Sequence, residues 1–174
     1  EPLPMGTLPG AAAGVGLLLS PTAPSTASAT AYVRVSVASS TNGSTDNYYS
    51  ASQLASQKAK AFVTVFTSQT VAQQVIHDLG LSMTPDALAS NITASNEANS
   101  LTIKVTATAD SADTARNIAN SVISESAKQV KNLEGENSPV QVVMMTPADL
   151  SQVKIAPSPA TYVLARHLGG ILLR

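Results

Sequence analysis

Few side chains in this 174-residue sequence have the types and spacing that chemistry requires. His77 and His167 lie far apart, and neither has a His-x-x-x-His neighbour or another ligand at metal spacing. A solvent-facing helix position accounts for His77, and a place at a membrane interface for His167. Asp110 and Asp113 could form a carboxylate pair, yet both fall where a helix begins, and acids there meet the helix dipole favourably. They read as capping residues. The glycines between Gly10 and Gly16 lack the Lys-Ser/Thr ending of a P-loop and no strand precedes them. Serines are plentiful, but no Gly-x-Ser-x-Gly elbow occurs. The absence of cysteine excludes a disulfide framework, a thiolate metal site and a Cys nucleophile together. No catalytic, metal-binding or cofactor-binding residue is expected, and no cofactor.

What remains is charge and surface that could meet a partner. Lys58, Lys60, Arg116 and Lys128 are the candidate interface residues, facing an oligomer neighbour, an anionic glycan or plain water. Ala51, Ala55, Ala59 and Ala61 form a small-residue stripe that would let another helix approach closely, or would simply raise helix propensity. The net charge of -1 and the 12% of charged residues leave no basic field, so nucleic acid is not an expected partner. Aromatic residues are only 3% with no Trp, so the core must be built from Ala, Val, Leu and Ile, and stacking platforms are scarce. Asn91-Ile-Thr93 and Asn42-Gly-Ser44 fit a glycosylation pattern and read as loop residues.

The elements that would position these residues follow from periodicity. The length suits one domain. Strands are expected near 30–37, 92–95, 101–107 and 140–145, giving an α/β fold with a small mixed β-sheet and helices packed on one face. In the first strand Val33, Val35 and Val37 alternate with polar residues. Ser20 to Ser28 reads as a Pro/Ser/Thr/Ala connector, and Ser39 to Asp46 as a loop. From Tyr49 to Gly80 the pattern is helical, with Leu54, Phe62, Val65 and Phe66 on one stripe and Val71, Val75, Ile76 and Leu79 on the next. Ser68 suits the N-cap and Gly80 the C-terminal cap of the second piece. Thr84 and Pro85 signal a further short helix. After Asp110 or Ser111 a long helix turns Ala115, Ile118, Ala119, Val122, Ile123, Ser126 and Val130 inward, while Arg116, Asn117, Asn120, Glu125 and Lys128 mostly take the other side. Val140 to Met145 is apolar on both faces at its centre, as a strand inside a sheet would be.

The flanks are apolar but short. Gly10 to Leu19 falls well below the roughly 20 residues a spanning helix needs. It is the h-region of a signal peptide, the outer part of a spanning helix, or a buried apolar segment. No Lys or Arg precedes Arg34, which counts against a signal peptide and favours the spanning helix. The stretch 160–173, preceded by Pro157 and Pro159, reads as the start of a second one. The expected division is therefore 1–20 for a first partial transmembrane segment, 21–155 for a domain outside the membrane, and 156–174 for a proline segment and a second partial span. The first and last strands, each leading to a flank, should lie side by side.

Several motifs resemble, in order and spacing, those of the Wzz-type chain-length determinant domain of bacterial polysaccharide co-polymerases, which include transmembrane activators of bacterial tyrosine kinases. Pro21-Thr22 followed by the Ala/Thr-rich strand to Val37 is similar to that family's first strand. Ser68-Gln-Thr-Val71, Leu79-Gly-Leu81 and Thr84-Pro-Asp-Ala-Leu88 resemble the end of its first helix and the small helix after it. Ile118-Ala-Asn120, the strand Val140 to Met144, and Pro147 with the proline motif Pro157 and Pro159 resemble the approach to its second membrane helix. The likeness covers about residues 20 to 165. It lacks the insert of the long protruding members, the Glu-x-x-Arg-x-x-Arg oligomerisation pattern and any cytoplasmic kinase region. The resemblance implies a non-catalytic regulator of capsule, exopolysaccharide or O-antigen chain length and export, at the bacterial cell membrane with its domain on the extracytoplasmic side. Its implied partners are further copies in a homo-oligomeric ring, a polysaccharide polymerase in the membrane, the nascent glycan and a tyrosine kinase. Activation of such a kinase, or an export-linked adaptor or binding module without length control, are the alternative roles.

Overall fold

The computed structural model describes residues 24–36, 45–150 and 154–155. In chain order these form β1 (Ser25–Val35), α1 (Thr45–Phe66), α2 (Gln69–Leu79), α3 (Pro85–Ser90), β2 (Ile92–Ser95), β3 (Thr102–Ala109), α4 (Ala112–Glu134), β4 (Val140–Thr146) and β5 (Lys154–Ile155). The sheet runs β2-β3-β1-β4, with β5 beside the start of β1. Every neighbouring pair is antiparallel, so the expectation of a mixed sheet is corrected. The reason is topological. β1 and β2 point the same way but have β3 between them, and β3 and β4 likewise flank β1. Each helical crossover therefore skips a strand, the split β-α-β arrangement of ferredoxin-like folds.

β1 starts within the Pro/Ser/Thr/Ala stretch read as a connector and ends before Val37. Its inward positions, Ala27, Ala29, Ala31 and Val33, are all buried. Alternation is present there, but in alanines, which lack the bulk that marks a core strand. The small floor has a use: Ala115 and Ala119 of α4 and Ala55 and Ala59 of α1 are buried with it, so both helices come close to the sheet without large side chains between. The alanine stripe of α1 thus packs inside its own domain at Ala55 and Ala59, while Ala61 is exposed. Leu54 is exposed as well, against expectation, because the buried row Ala55, Ala59, Phe62 and Phe66 runs one residue round the helix from it.

The helix signals are met elsewhere. Ser68 accepts from the Val71 N–H, Thr84 from Ala87 and Ser111 from Thr114, each as an N-cap. Gly80 ends α2 in the left-handed conformation at φ 62°. The inward stripe of α4 is buried at all seven expected positions, Ala115, Ile118, Ala119, Val122, Ile123, Ser126 and Val130. β4 is an edge strand rather than an interior one among the described residues, and Met144 and Met145 at its end are exposed. It does pair with β1, so the first and last long strands lie side by side as expected. No helix among the described residues is long and apolar enough to cross a membrane. The apolar runs 10–19 and 160–173, with Pro157, Pro159, His167 and Asn42 to Ser44, lie outside the described residues.

Candidate functional site

The four candidate cations do not converge. Lys58 on α1 donates to Glu134 of α4 at 2.7 Å, with its ammonium 5.9 Å from the Phe62 ring centre, so it ties two helices together within the domain. Arg116 reaches Asp113 one turn back, at 3.0 Å, and also donates to Asn117. Lys128 donates to Glu125 at 2.6 Å, again one turn back. Lys60 is exposed and has no ion pair among the described residues. Arg116 and Lys128 each meet an acid at i-3, the spacing at which charges on one helix face pair.

One of these pairs is unlike a surface contact. Glu125 is only 7% exposed, although the helical pattern turns it outward. The correction has a physical cause: α2 packs on α4 and covers that side of the helix. A cleft of about 290 Å³ runs along this junction, lined by Thr70, Gln74 and Asp78 of α2 and by Glu125, Lys128 and Asn132 of α4. The hydrogen bond from Lys128 and then its charge attraction to Glu125 hold that ammonium above its ordinary value, with Asp78 adding to the effect. Such a cleft offers hydrogen bonds and charges that already offset one another, which suits contact with a polar partner.

Asn120 also departs from the expected solvent face. Its Oδ1 accepts from the Ala148 N–H at 2.7 Å and its Nδ2 donates to the Ala148 carbonyl at 3.2 Å, imitating a strand neighbour. This clamp seats Ala148 in the core just after β4. Nothing local announces it, because the two residues meet only through the fold. Asp110 and Asp113 are exposed at the start of α4, where Ser111 rather than Asp110 is the cap. His77 lies in the last turn of α2, exposed, 3.3 Å from the Asp78 carboxylate. Among the described residues no three His, Asp or Glu side chains come together as a metal site would need.

The first and last described strands meet at one point. Ser25, the first residue of β1, pairs with Ile155, and Thr26 with Lys154. No family model and no curated protein matches this chain. The likeness to chain-length determinants rests on the order of its motifs.

Proposed function

We propose that this chain is a membrane-anchored, non-catalytic regulator of surface-polysaccharide chain length, acting as a homo-oligomer beside a polymerase in the same membrane. The supporting observation is the pairing of Ser25 with Ile155. The start of β1 and the end of β5 lie at one place on the sheet, the arrangement wanted by a domain held between two apolar flanks. Motif order along 20–165 adds to it. In this reading residues 21–155 stand outside the membrane, 1–20 and 156–174 belong to the anchors, and a ring of copies sets when extension stops by holding the polymerase or the growing glycan. Deleting the gene and sizing the surface glycan on a gel is the direct test. The expected result is a broadened or shifted length distribution; an unchanged one overturns the proposal. A strictly monomeric mass for the detergent-solubilised full chain overturns the ring.

A further inference from the structure

Aromatic residues are few here, and how they are placed is informative. Phe62 and Phe66 are buried in the core, whereas Tyr48 and Tyr49, in the first turns of α1, are 66% and 67% exposed. Two rings left in water stand out in so aromatic-poor a chain, and as consecutive helix residues they point in different directions, each beside its own hollow. Tyr49 borders a cleft of about 480 Å³ whose other walls are Ser52, Gln53, Ser56 and Gln57 of α1, and Asn99 with Leu101 from the β2–β3 connection. Tyr48 borders a second hollow of about 210 Å³, which adjoins the first across Ser52 and Leu101. The larger cleft alone falls within the ~300–1,000 Å³ of small-ligand sites.

The lining chemistry selects the ligand. Among the described residues no charged side chain lines the larger cleft, which instead presents three side-chain amides, two serine hydroxyls and a phenol. Amides and hydroxyls both donate and accept, so they match a ligand that carries many hydroxyl groups. An acidic ligand would find no cation there to offset its desolvation. Arg34, which gives two hydrogen bonds to the neutral amide of Gln141 and keeps its charge, borders the smaller hollow and not the larger cleft. The tyrosine rings offer the flat apolar surface that the C–H face of a pyranose requires. The site is also partly set in advance. Gln53 donates to the Tyr49 phenol at 3.0 Å, and Asn99 holds the opposite wall with a left-handed backbone, φ 60°, a conformation that Asn tolerates better than most residues.

From this the geometry points to a binding site for neutral oligosaccharide in the groove between α1 and the β2–β3 connection, with Tyr48 and Tyr49 stacking on sugar rings and Gln53, Gln57 and Asn99 reading their hydroxyls. The identification of the ligand as a saccharide rests on the surface-polysaccharide reading; the uncharged, hydroxyl-matching character of the larger cleft does not. It places the glycan at the side of α1, away from the polar cleft between α2 and α4.

The test uses the full chain in detergent and saturation-transfer NMR with maltohexaose, cellohexaose and mannohexaose, against trigalacturonate as the acidic probe. At least one neutral probe should bind, and Y49A and Y48A should each weaken it about tenfold or more, with Y49F retaining most of the affinity because the ring remains. Both tyrosines are solvent-facing, and an unchanged thermal midpoint will show that the variants fold. Binding that Y48A and Y49A leave intact, tighter binding of trigalacturonate, or no binding by any neutral probe overturns the site. So does a change of oligomer mass in Y49A without loss of sugar binding, which would make the face a contact between copies. The two proposals fail separately: altered glycan length on gene deletion with no sugar binding keeps the regulator and removes the site, whereas tyrosine-dependent binding with unaltered length does the reverse.

Discussion

At the scale of single residues, polar groups in the interior separate what the fold needs from what it tolerates. Ser126 is fully buried on the inward stripe of α4, and its hydroxyl has no hydrogen-bond partner among the described residues. An unmatched buried hydroxyl costs about 1–3 kcal/mol of desolvation. Ser126→Ala should therefore raise stability by about 1 kcal/mol, seen as a higher urea midpoint at unchanged slope; a drop of that size would mean the hydroxyl is satisfied in solution. Lys128 supplies a pH-dependent counterpart. Because Glu125 raises its affinity for the proton in the folded state, the pair's contribution is complete below the ordinary lysine value of 10.5 and is lost as pH climbs through the raised one. Urea midpoints of wild type and Lys128→Gln should differ by a constant amount at neutral and mildly basic pH, then converge above 10.5. A gap that stays open at high pH would show that the lysine acts through packing alone. Helical spacing places Ser126 inward correctly, whereas Glu125 reads as outward, because its burial is decided by the α2 that packs over it.

At the scale of elements, the legible features were those governed by a few neighbouring residues. Ser68, Thr84 and Ser111 cap as their positions suggest, because a cap depends only on the next three amides. The buried face of α4 was equally plain, since Ile118, Val122 and Ile123 mark its period. What stayed hidden depended on size and partners. β1 starts within a stretch to Ser28 that composition assigns to a linker, and the helices lying on Ala27, Ala29 and Ala31 make these small residues core. Bulk at Leu54 points to the wrong stripe of α1, because small residues at Ala55 and Ala59 are what the sheet accommodates. The pairing of β1 with β3 and β4, and so the wholly antiparallel sheet, follows from long-range register that no window of sequence contains. Gly80 tests the local kind of rule in isolation. A Cβ there would meet nothing within 4 Å, so the only obstacle to a side chain is the φ of 62°. Gly80→Ala should cost about 1–2 kcal/mol, the left-handed penalty itself, while Gly80→Asn should recover part of it. If alanine proves neutral in chemical denaturation, α2 ends in a different conformation.

At the scale of the molecule, the arrangement of the flanks can be examined without knowing what they do. Ser25 and Ile155 are directly opposed in antiparallel strands, where Cα atoms lie about 4.5–5.5 Å apart, and this is within disulfide reach. The chain contains no cysteine, so a Ser25→Cys, Ile155→Cys variant would carry the only thiols. Mild oxidation should close one intrachain bridge, giving a faster band on a non-reducing gel and a higher thermal midpoint. The bridge encloses nearly the whole described domain, and the chain-entropy account allows it up to about 5 kcal/mol. Thiols that stay reduced, or that link separate chains instead, would refute the register of β5 on β1. The same variant bears on the proposed role. If the flanks already leave the sheet together and the domain acts as a unit above them, tying them covalently should leave surface-glycan length as in wild type. A changed length in the oxidised variant would mean that regulation requires β5 to come away from β1, and would move the working part of the molecule from the sheet and its helices to that junction.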